Sequence, residues 1–295
     1  MPEIVGKCLL CSSDQSQLFD KRTFEGQVVE NRICLSCGFV YQSPRMTAIE
    51  TDAFYTSEYR QMYQGSSDPN PKDLEIQKLR AGSLLTFVKK RVNEVSRMLD
   101  IGCSAGLLME AFNKEYGCHP VGIEPGTAYR DYAAKSGFKI YASLTDLQSA
   151  GEARFDLISM AHVLEHLPEP LAYLAALRQK NLTPEGRLLI EVPNLYMHDS
   201  FEVAHLSSFS GQTLREMVQT AGFKVVTMEK HGRPRSDLLP YYLTLLCQPD
   251  LTNKKILIHR EGSVKLKRRA GLLARRLVGR IFPALAWKKL AGAQE

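Results

Sequence analysis

Met98–Phe112 reads MLDIGCSAGLLMEAF. The apolar run Met98–Ile101 predicts a buried strand, Gly102–Gly106 predicts a small-residue loop, and a helix is expected from Leu107 onward. Glycine and serine let the backbone come close to a ligand, because no bulky Cβ substituent obstructs the approach. The helix start adds unpaired N–H groups and a positive dipole end. The stretch therefore predicts a ligand-binding edge at a strand-to-helix turn.

Three chemistries use such a turn. A dinucleotide fold requires G-x-G-x-x-G, but Ser104 and Leu107 occupy the second and third glycine positions. The loop also matches the G-x-S-x-G pattern of a hydrolase nucleophile elbow, with Ser104 at its centre. The stretch further resembles motif I of the class I S-adenosylmethionine (SAM)-dependent methyltransferases, in which an acidic residue precedes a Gly-x-Gly/Ser-x-Gly loop.

Glu124 favours the third chemistry. It ends the apolar run Val121–Glu124 about twenty residues after the loop, where an acid can accept both hydroxyls of an adenosine ribose. A hydrolase does not need this acid. From Arg80 to Gln248 the order of segments resembles a class I methyltransferase, which implies an α/β, Rossmann-like, doubly wound and mostly parallel seven-stranded sheet whose final strand is antiparallel. The predicted strands are Met98–Ile101, Pro120–Glu124, Lys139–Ala142, Phe155–Met160, Arg187–Val192, Phe223–Glu229 and Tyr241–Cys247.

The resemblance implies the SAM contacts. Asp100 would reach the methionyl ammonium and Glu124 would hold the ribose. Asp146, just after the third strand, would contact the adenine or would instead cap a helix. The methionyl portion would pass the backbone of three loop residues: Gly102, Ser104 and Gly106.

The segment His162-Val-Leu-Glu165-His166 has several interpretations. It spells the zinc-protease pattern H-x-x-E-H, but it follows a buried strand in methyltransferase order. It resembles the V-L-E-H segment of methyltransferases related to ubiquinone biosynthesis, which implies that His162 lies beside the sulfonium. Some relatives, including small-RNA 3′-end methyltransferases, hold a divalent ion here, and Glu165, His166 and His205 could form such a cluster. Alternatively, Glu165 and His166 cap the helix Pro168–Lys180.

His205 is the first candidate general base, and His162 is the second catalytic candidate. Small-molecule methyltransferases often carry a substrate-covering insertion after the fifth strand, with a histidine in a context similar to His205-Leu-x-x-Phe-Ser. The near-neutral pKa of histidine suits removal of a proton from a hydroxyl. A structural histidine before the helix Gln212–Thr220 is the competing interpretation.

Two C-x-x-C pairs lie near the N-terminus, separated by twenty-two residues. This spacing suits a tetrahedral structural zinc, and the absence of an export signal favours metal over disulfides. The sequence therefore predicts a zinc ribbon whose four ligands leave no open position: Cys8, Cys11, Cys34 and Cys37.

The ribbon is followed by the aromatic pattern Phe54-Tyr55-x-x-x-Tyr59. Together they resemble the sugar C-methyltransferases of deoxysugar pathways, which are longer at the C-terminus. The aromatic segment Ser43–Pro71 is either a flap over a substrate pocket or an irregular linker. The resemblance implies a sugar or glycan acceptor, nucleotide-linked or lipid-linked, methylated at oxygen or carbon. The alternatives are an RNA methyltransferase and a quinone-like small-molecule O-methyltransferase.

The charge is unevenly distributed along the chain. Residues 254–289 hold 12 of the 38 Lys/Arg and only one of the 32 Asp/Glu, so the rest of the chain is mildly acidic. This pattern argues against nucleic-acid binding by the body. The basic tail predicts an amphipathic helix interrupted near Pro283. It would lie on anionic membrane, bind RNA phosphates, or pack on the body through its apolar stripe with a solvated basic face.

The predicted organisation is a zinc ribbon (1–45), a linker with a lead-in helix at Lys72–Val95 (46–97), a methyltransferase domain (98–250) and a basic helical tail (251–295). No apolar run is long enough to span a membrane and no signal peptide is evident. We therefore expect a cytoplasmic enzyme, peripheral at the inner face of the membrane if the tail docks there.

Overall fold

The computed structural model describes residues 2–252 and 256–288. At the N-terminus, β1 (Ser16–Phe24), β2 (Gln27–Cys34) and β3 (Val40–Gln42) form an antiparallel sheet. The turn between β1 and β2 places Glu25 and Gly26 at positive φ, which suits a tight hairpin. A β-hairpin therefore connects the two cysteine pairs.

The aromatic segment after the ribbon is helical rather than irregular. It comprises α1 (Ala48–Ala53), a π-helical turn (Phe54–Glu58) and α2 (Tyr59–Gln64). Helix α3 (Pro71–Lys89) follows, with the Asn70 side chain as its N-cap and a proline at its first position. It ends before the predicted boundary at Val95, and it packs buried residues such as Leu84 and Val88 against the main sheet.

The body of the protein, which follows α3, alternates strands and helices. In chain order its elements are β4 (Arg97–Ile101), α4 (Leu107–Tyr116), β5 (His119–Ile123), α5 (Thr127–Lys135), β6 (Lys139–Tyr141), α6 (Leu144–Ser149), β7 (Phe155–Ala161), a 3₁₀ turn (Leu164–His166), α7 (Pro170–Lys180), β8 (Leu182–Pro193), β9 (Ser207–Ser208), α8 (Gly211–Thr220), β10 (Phe223–His231) and β11 (Tyr242–Pro249).

Seven of these strands form the central sheet in the order β10-β11-β8-β7-β4-β5-β6. The strands β8, β7, β4, β5 and β6 pair in parallel, and β11 is antiparallel to both of its neighbours. The predicted α/β fold and the antiparallel final strand are confirmed. Leu99, Ile158 and Leu188 on adjacent strands are fully buried, because helices cover both faces of the sheet.

The ribbon sheet is completed by the body of the protein. Strand β9 pairs antiparallel with β3, aligning Ser207 with Tyr41, and the Gln42 N–H donates to the Leu206 carbonyl at 2.9 Å. The ribbon is thus joined by backbone hydrogen bonds to the segment that carries His205. The domain boundary predicted at residue 45 remains a prediction.

The tail forms α9 (Val264–Ile281) and α10 (Pro283–Ala286), separated near Pro283 as predicted. The packing of α9 is the reverse of the apolar-face-inward interpretation. Arg268 and Gly271 are buried against the body, whereas Leu266 and Leu273 are exposed. No helix among the described residues combines the length and hydropathy needed to cross a membrane.

Candidate active site

The loop after β4 has a left-handed backbone at three positions. Gly102, Ser104 and Gly106 have φ values of +71°, +51° and +82°. A Cβ at Gly102 would lie 2.6 Å from a methyl carbon of Val163, so only glycine fits there without a shift. Gly106 is the N-cap of α4 and has no capping side chain. The backbone of this loop is therefore free of side-chain obstruction on the side that leads into the helix.

Glu124 lies directly after β5 and is buried. Its carboxylate accepts hydrogen bonds from the backbone N–H groups of Ser104 at 2.9 Å and Gly126 at 3.0 Å. Arg60 from α2 approaches the same carboxylate at 3.3 Å and donates to Ser104 Oγ at 3.1 Å. The acid and the loop thus form one hydrogen-bonded unit, as expected of a ribose-binding carboxylate beside motif I.

Asp100, on β4 before the loop, is also buried. Desolvation raises the pKa of its carboxyl to about 7, although the Ser159 hydroxyl donates to it at 2.6 Å and acts in the opposite direction. A cation placed beside Asp100 would restore its ionised form. The ammonium assigned to this residue from the sequence has the charge that the site requires.

A cavity of about 480 Å³ joins the loop to the ends of β5 and β7. Asp100, Gly102, Ser104 and Glu124 line one side of it. Aromatic and aliphatic side chains form much of the remaining lining, namely Tyr55, Tyr59, Leu84, Leu167 and Tyr173. Polar side chains line it as well, among them Asp73, Gln77 and Arg80. Tyr55 and Tyr59 come from the segment after the ribbon, which agrees with the flap interpretation and not with the linker.

Asp146 lies in the first turn of α6. Ser143 and Leu144 line the cavity, whereas Asp146 is not among its lining residues. The N-cap of α6 is Ser143, whose hydroxyl accepts from the Asp146 N–H at 3.1 Å and donates to the Asp146 carboxylate at 2.7 Å. Asp146 is therefore not the cap itself, and its contact with adenine remains a prediction.

His162 lies at the carboxyl end of β7 with a φ of +57° and lines the cavity. Its Nδ1 is 3.3 Å from Glu165 Oε1, and its Nε2 is 3.4 Å from Glu191 Oε1. Burial and the nearby Arg80 lower the pKa of His162, but the contacts with the two carboxylates outweigh them and the net shift is upward. His162 is thus held between two carboxylates, an arrangement that suits positioning.

Glu165, His166 and His205 form a second cluster beside His162. One ligand atom from each lies within 4.8 Å of the others. His166 Nδ1 contacts the Ala204 carbonyl at 2.9 Å and His205 Nδ1 contacts the Ser200 carbonyl at 2.9 Å. These contacts require N–H at Nδ1 and leave the Nε2 lone pairs available. His166 lines the cavity, whereas His205 lies behind it at a ring separation of 4.7 Å.

The charges in this cluster are well defined. Both carboxylate oxygens of Glu165 are buried without a hydrogen bond. Burial raises its pKa, but the surrounding histidines, His162 foremost, bring it down to about 2. Burial lowers the pKa of His166 to about 4 and also lowers that of His205. A carboxylate and two imidazoles are a donor set that divalent transition metals accept.

The helix-capping interpretation of Glu165 and His166 is wrong. They belong to a separate 3₁₀ turn, and α7 begins at Pro170 without a side-chain cap. The hydrolase interpretation has no support either, because the hydrogen-bond partner of Ser104 Oγ is Arg60, a donor that cannot act as a base.

The four N-terminal cysteines converge. Cys8 Sγ is 3.6 Å from Cys37 Sγ, and Cys11 Sγ is 3.5 Å from Cys34 Sγ. Ligands of a tetrahedral zinc with bonds of about 2.3 Å are separated by roughly 3.8 Å, so the set fits the ion. The remaining three cysteines lie elsewhere in the chain and are buried.

Three charged residues of this site were not anticipated from the sequence. Glu191 on β8 accepts from the Thr244 hydroxyl at 2.8 Å and lies 3.1 Å from Arg80 Nε. Arg60 contacts Glu124, as described above. An acid within the apolar run Leu188–Val192 was a usable signal for Glu191. The two arginines lie on helical segments of mixed composition and gave no comparable signal.

Comparison with known proteins identifies the fold. Residues 74–228 match the family described as "Methyltransferase domain". The 1,6-didemethyltoxoflavin-N1-methyltransferase of Burkholderia thailandensis, solved with S-adenosylhomocysteine, superposes with a TM-score of 0.57 at 19% identity, covering 78% of this chain and 99% of that one. A SAM-dependent methyltransferase from Archaeoglobus fulgidus gives a TM-score of 0.50 at 19% identity, with 64% and 97% coverage.

Curated relatives share part of the chain. The ubiquinone biosynthesis O-methyltransferase of Xylella fastidiosa strain M23 is 34% identical over 118 residues, which are 37% of this chain and 47% of that protein. Its counterpart from Cereibacter sphaeroides is 40% identical over 105 residues, 33% and 41% of the two chains. The chain thus spans less than half the length of these relatives. Since the family match covers more than half of the chain and includes the loop and Glu124, the protein belongs to the methyltransferase-domain family.

Proposed function

We propose that the protein transfers the methyl group of SAM to a phenolic hydroxyl of a quinone-like small molecule. The observation that carries the proposal is the composition of the cavity. The residues expected to bind the cofactor lie opposite a wall of aromatic side chains, and His166 lies at the end of this aromatic wall. The curated relatives named ubiquinone biosynthesis O-methyltransferase favour the same acceptor class. They offer no support for the sugar or glycan acceptor expected from the ribbon resemblance.

The aromatic wall suits a planar acceptor. The rings of Tyr55 and Tyr59 meet His166 edge-on at centroid distances of 5.7 and 5.8 Å. Such rings stack with or edge-pack against an aromatic substrate. A sugar would need a set of hydrogen-bonding side chains, and the wall formed by Leu84, Leu167 and Tyr173 offers few of them.

The SAM-binding residues keep the roles expected from the sequence. Asp100 would hold the ammonium, Glu124 would accept the ribose hydroxyls, and the loop backbone of Gly102, Ser104 and Gly106 would pass the methionyl portion. Arg60, which contacts both Ser104 and Glu124, would close this end of the cavity. Together these contacts would aim the sulfonium toward the aromatic wall.

Methyl transfer needs alignment and removal of one proton. The acceptor oxygen forms a bond to the methyl carbon as the carbon–sulfur bond breaks, and the sulfonium becomes a neutral thioether. Where no cation occupies the Nε2 lone pairs of His166 and His205, one of these imidazoles would accept the hydroxyl proton. His162, held between Glu165 and Glu191, would position this wall rather than accept the proton.

The donor set of Glu165, His166 and His205 fits a divalent cation. The burial of the Glu165 carboxylate supports this assignment, since its contacts are with histidines and neither of its oxygens accepts a well-formed hydrogen bond. A bound cation would lower the pKa of an acceptor hydroxyl. We also propose a structural zinc at Cys8, Cys11, Cys34 and Cys37, supported by their sulfur separations.

The test is transfer of labelled methyl from SAM by the purified chain to three acceptor sets: substituted catechols with and without a prenyl tail, nucleotide sugars, and total RNA. We expect label in the catechols, released as the O-methyl ether. Label in the sugars or in RNA instead would overturn the acceptor proposal while leaving the methyltransferase assignment intact. Tyr59→Ala should raise the catechol KM more than it changes the Kd for SAM.

A further inference from the structure

Helix α9 buries a mixed face against the body and leaves most of its leucines exposed. Val264, Arg268 and Gly271 are buried, while Leu266, Leu273 and Ile281 are 68%, 58% and 65% exposed. An amphipathic helix on a globular body normally buries its leucines and exposes its arginines. The reversed arrangement leaves an unpartnered apolar face on the outside of the protein.

Specific contacts fix this orientation. The Arg268 guanidinium donates to the carbonyls of Leu195 and His198, pairs with Asp199 at 2.9 Å and lies 3.9 Å above the ring of Phe201. At the next turn, a Cβ on Gly271 would lie only 2.0 Å from the Tyr196 carbonyl oxygen, so the helix backbone touches the body there. Rotating the leucines inward would break the Arg268–Asp199 ion pair and lose this close approach.

The outward face combines one apolar stripe and one basic stripe. At 100° per residue, four side chains fall within an arc of about 80° opposite Val264. We call them the outward apolar stripe: Leu266, Leu273, Leu277 and Ile281. Beside it, Arg269, Arg276 and Arg280 are exposed within an adjoining arc of about 40°. The helix holds seven Lys/Arg and no Asp or Glu.

The apolar patch continues past the end of α9. Phe282 and Trp287 are about half exposed, and Trp287 is anchored by the ring of Tyr241 at 5.5 Å and by the Arg235 guanidinium at 4.9 Å. Trp at the boundary of an apolar surface and basic side chains is typical of the membrane interface.

We propose that α9 docks the protein on an anionic lipid bilayer, with the outward apolar stripe inserted at the headgroup boundary and the arginine row against lipid phosphates. Charge complementarity selects this occupant. A second copy would place two acid-free basic helices face to face, and the repulsion would oppose the contact. RNA would satisfy the arginines but would leave the leucines in water. The proposal does not depend on which acceptor the enzyme methylates.

The test is sedimentation of the full-length protein with vesicles of 30% phosphatidylglycerol in phosphatidylcholine and with vesicles of phosphatidylcholine alone. The wild type should partition onto the anionic vesicles about tenfold more strongly than onto the neutral ones. The variant Leu273→Glu/Leu277→Glu should lower the partition coefficient at least tenfold, because two apolar side chains are lost from the stripe. The variant Arg269→Gln/Arg276→Gln/Arg280→Gln should abolish the preference for anionic lipid.

The matched control is Leu251→Glu/Leu257→Glu, which changes two leucines of 73% and 74% exposure outside α9 and adds the same charge. It should bind vesicles within about threefold of the wild type. Circular dichroism and the Kd for S-adenosylhomocysteine should match the wild type in all variants, since every altered side chain is exposed. Equal loss in the control, or full binding by Leu273→Glu/Leu277→Glu, would overturn the proposal. A dimer by light scattering that this variant dissociates, without vesicle binding, would also overturn it and assign the stripe to a second copy.

Discussion

The two sides of the cavity are built in different ways. The cofactor side comes from one continuous stretch, Met98–Gly126, in which strand, loop, helix and second strand place Asp100 and Glu124 beside each other. The opposite side draws on separate segments: a helical segment after the ribbon, the end of β7, the middle of β8 and the insertion before β9. The cofactor side therefore depends mainly on local geometry. The opposite side, which carries the histidines and is here called the histidine side, depends on tertiary contacts.

The largest expected effect comes from removing a histidine, which should lower kcat and leave SAM binding nearly unchanged. We expect His205→Ala to lower kcat about 100-fold, because a residue that removes the proton, or positions the residue that does, contributes a factor of this size. The Kd for SAM should stay within about twofold of the wild type. Single-turnover kinetics and calorimetric titration with SAM measure the two quantities. His119→Ala, an exposed histidine at the start of β5, is the matched control. Undiminished kcat in His205→Ala would remove this residue from the reaction.

Glu124→Gln should have the complementary effect on the cofactor side. The carboxylate organises Ser104 and Gly126 and would accept the ribose hydroxyls, so losing its charge should weaken SAM binding about 50-fold, as expected for two charge-assisted hydrogen bonds. Glu110→Gln, an exposed acid on α4, serves as the control. If calorimetry gives equal SAM affinity for Glu124→Gln and the wild type, the ribose assignment fails.

The variant Cys34→Ser tests whether the ribbon stabilises the histidine side of the cavity without affecting the cofactor side. Strand β3 of the ribbon holds β9, which directly follows His205. Loss of the proposed zinc should loosen this pairing and lower kcat about 20-fold, in the range of effects seen for outer contacts of a site, with little change in SAM affinity. Zinc content by mass spectrometry should fall from one per chain to zero. Cys118→Ser should retain the metal, and a metal-free but folded wild type would contradict the zinc proposal.

The smallest effect is a pH dependence on the cofactor side. The pKa of Asp100 is raised to about 7, so its carboxyl is neutral below that pH and ionised above it. Since the SAM ammonium favours the ionised form, SAM should bind about tenfold more weakly at pH 6 than at pH 8. Asp100→Asn should bind weakly at both. A wild-type Kd that is flat across this range would place the ammonium elsewhere.

Several interpretations from the sequence failed for an identifiable reason. Glu165 and His166 precede a helix in the chain, but the 3₁₀ turn ends at His166 and α7 starts four residues later, so they turn into the site instead of capping. Asp146 supports α6 from inside its first turn, because Ser143 takes the cap position. In both cases the capping role depended on the exact residue at which a helix starts.

The sequence by itself determined the fold class, the binding loop and the pairing of the cysteines, because each follows from local pattern and spacing: alternation of apolar strands and helices, small residues at a turn, and paired thiols. Only the tertiary structure decided which residues form the histidine wall and which face of α9 is outward. His166 and His205 meet through the pairing of β3 with β9. The face of α9 was decided by the Arg268–Asp199 pair and by the approach of Gly271 to Tyr196. Such contacts join residues tens of positions apart, and no local periodicity records them.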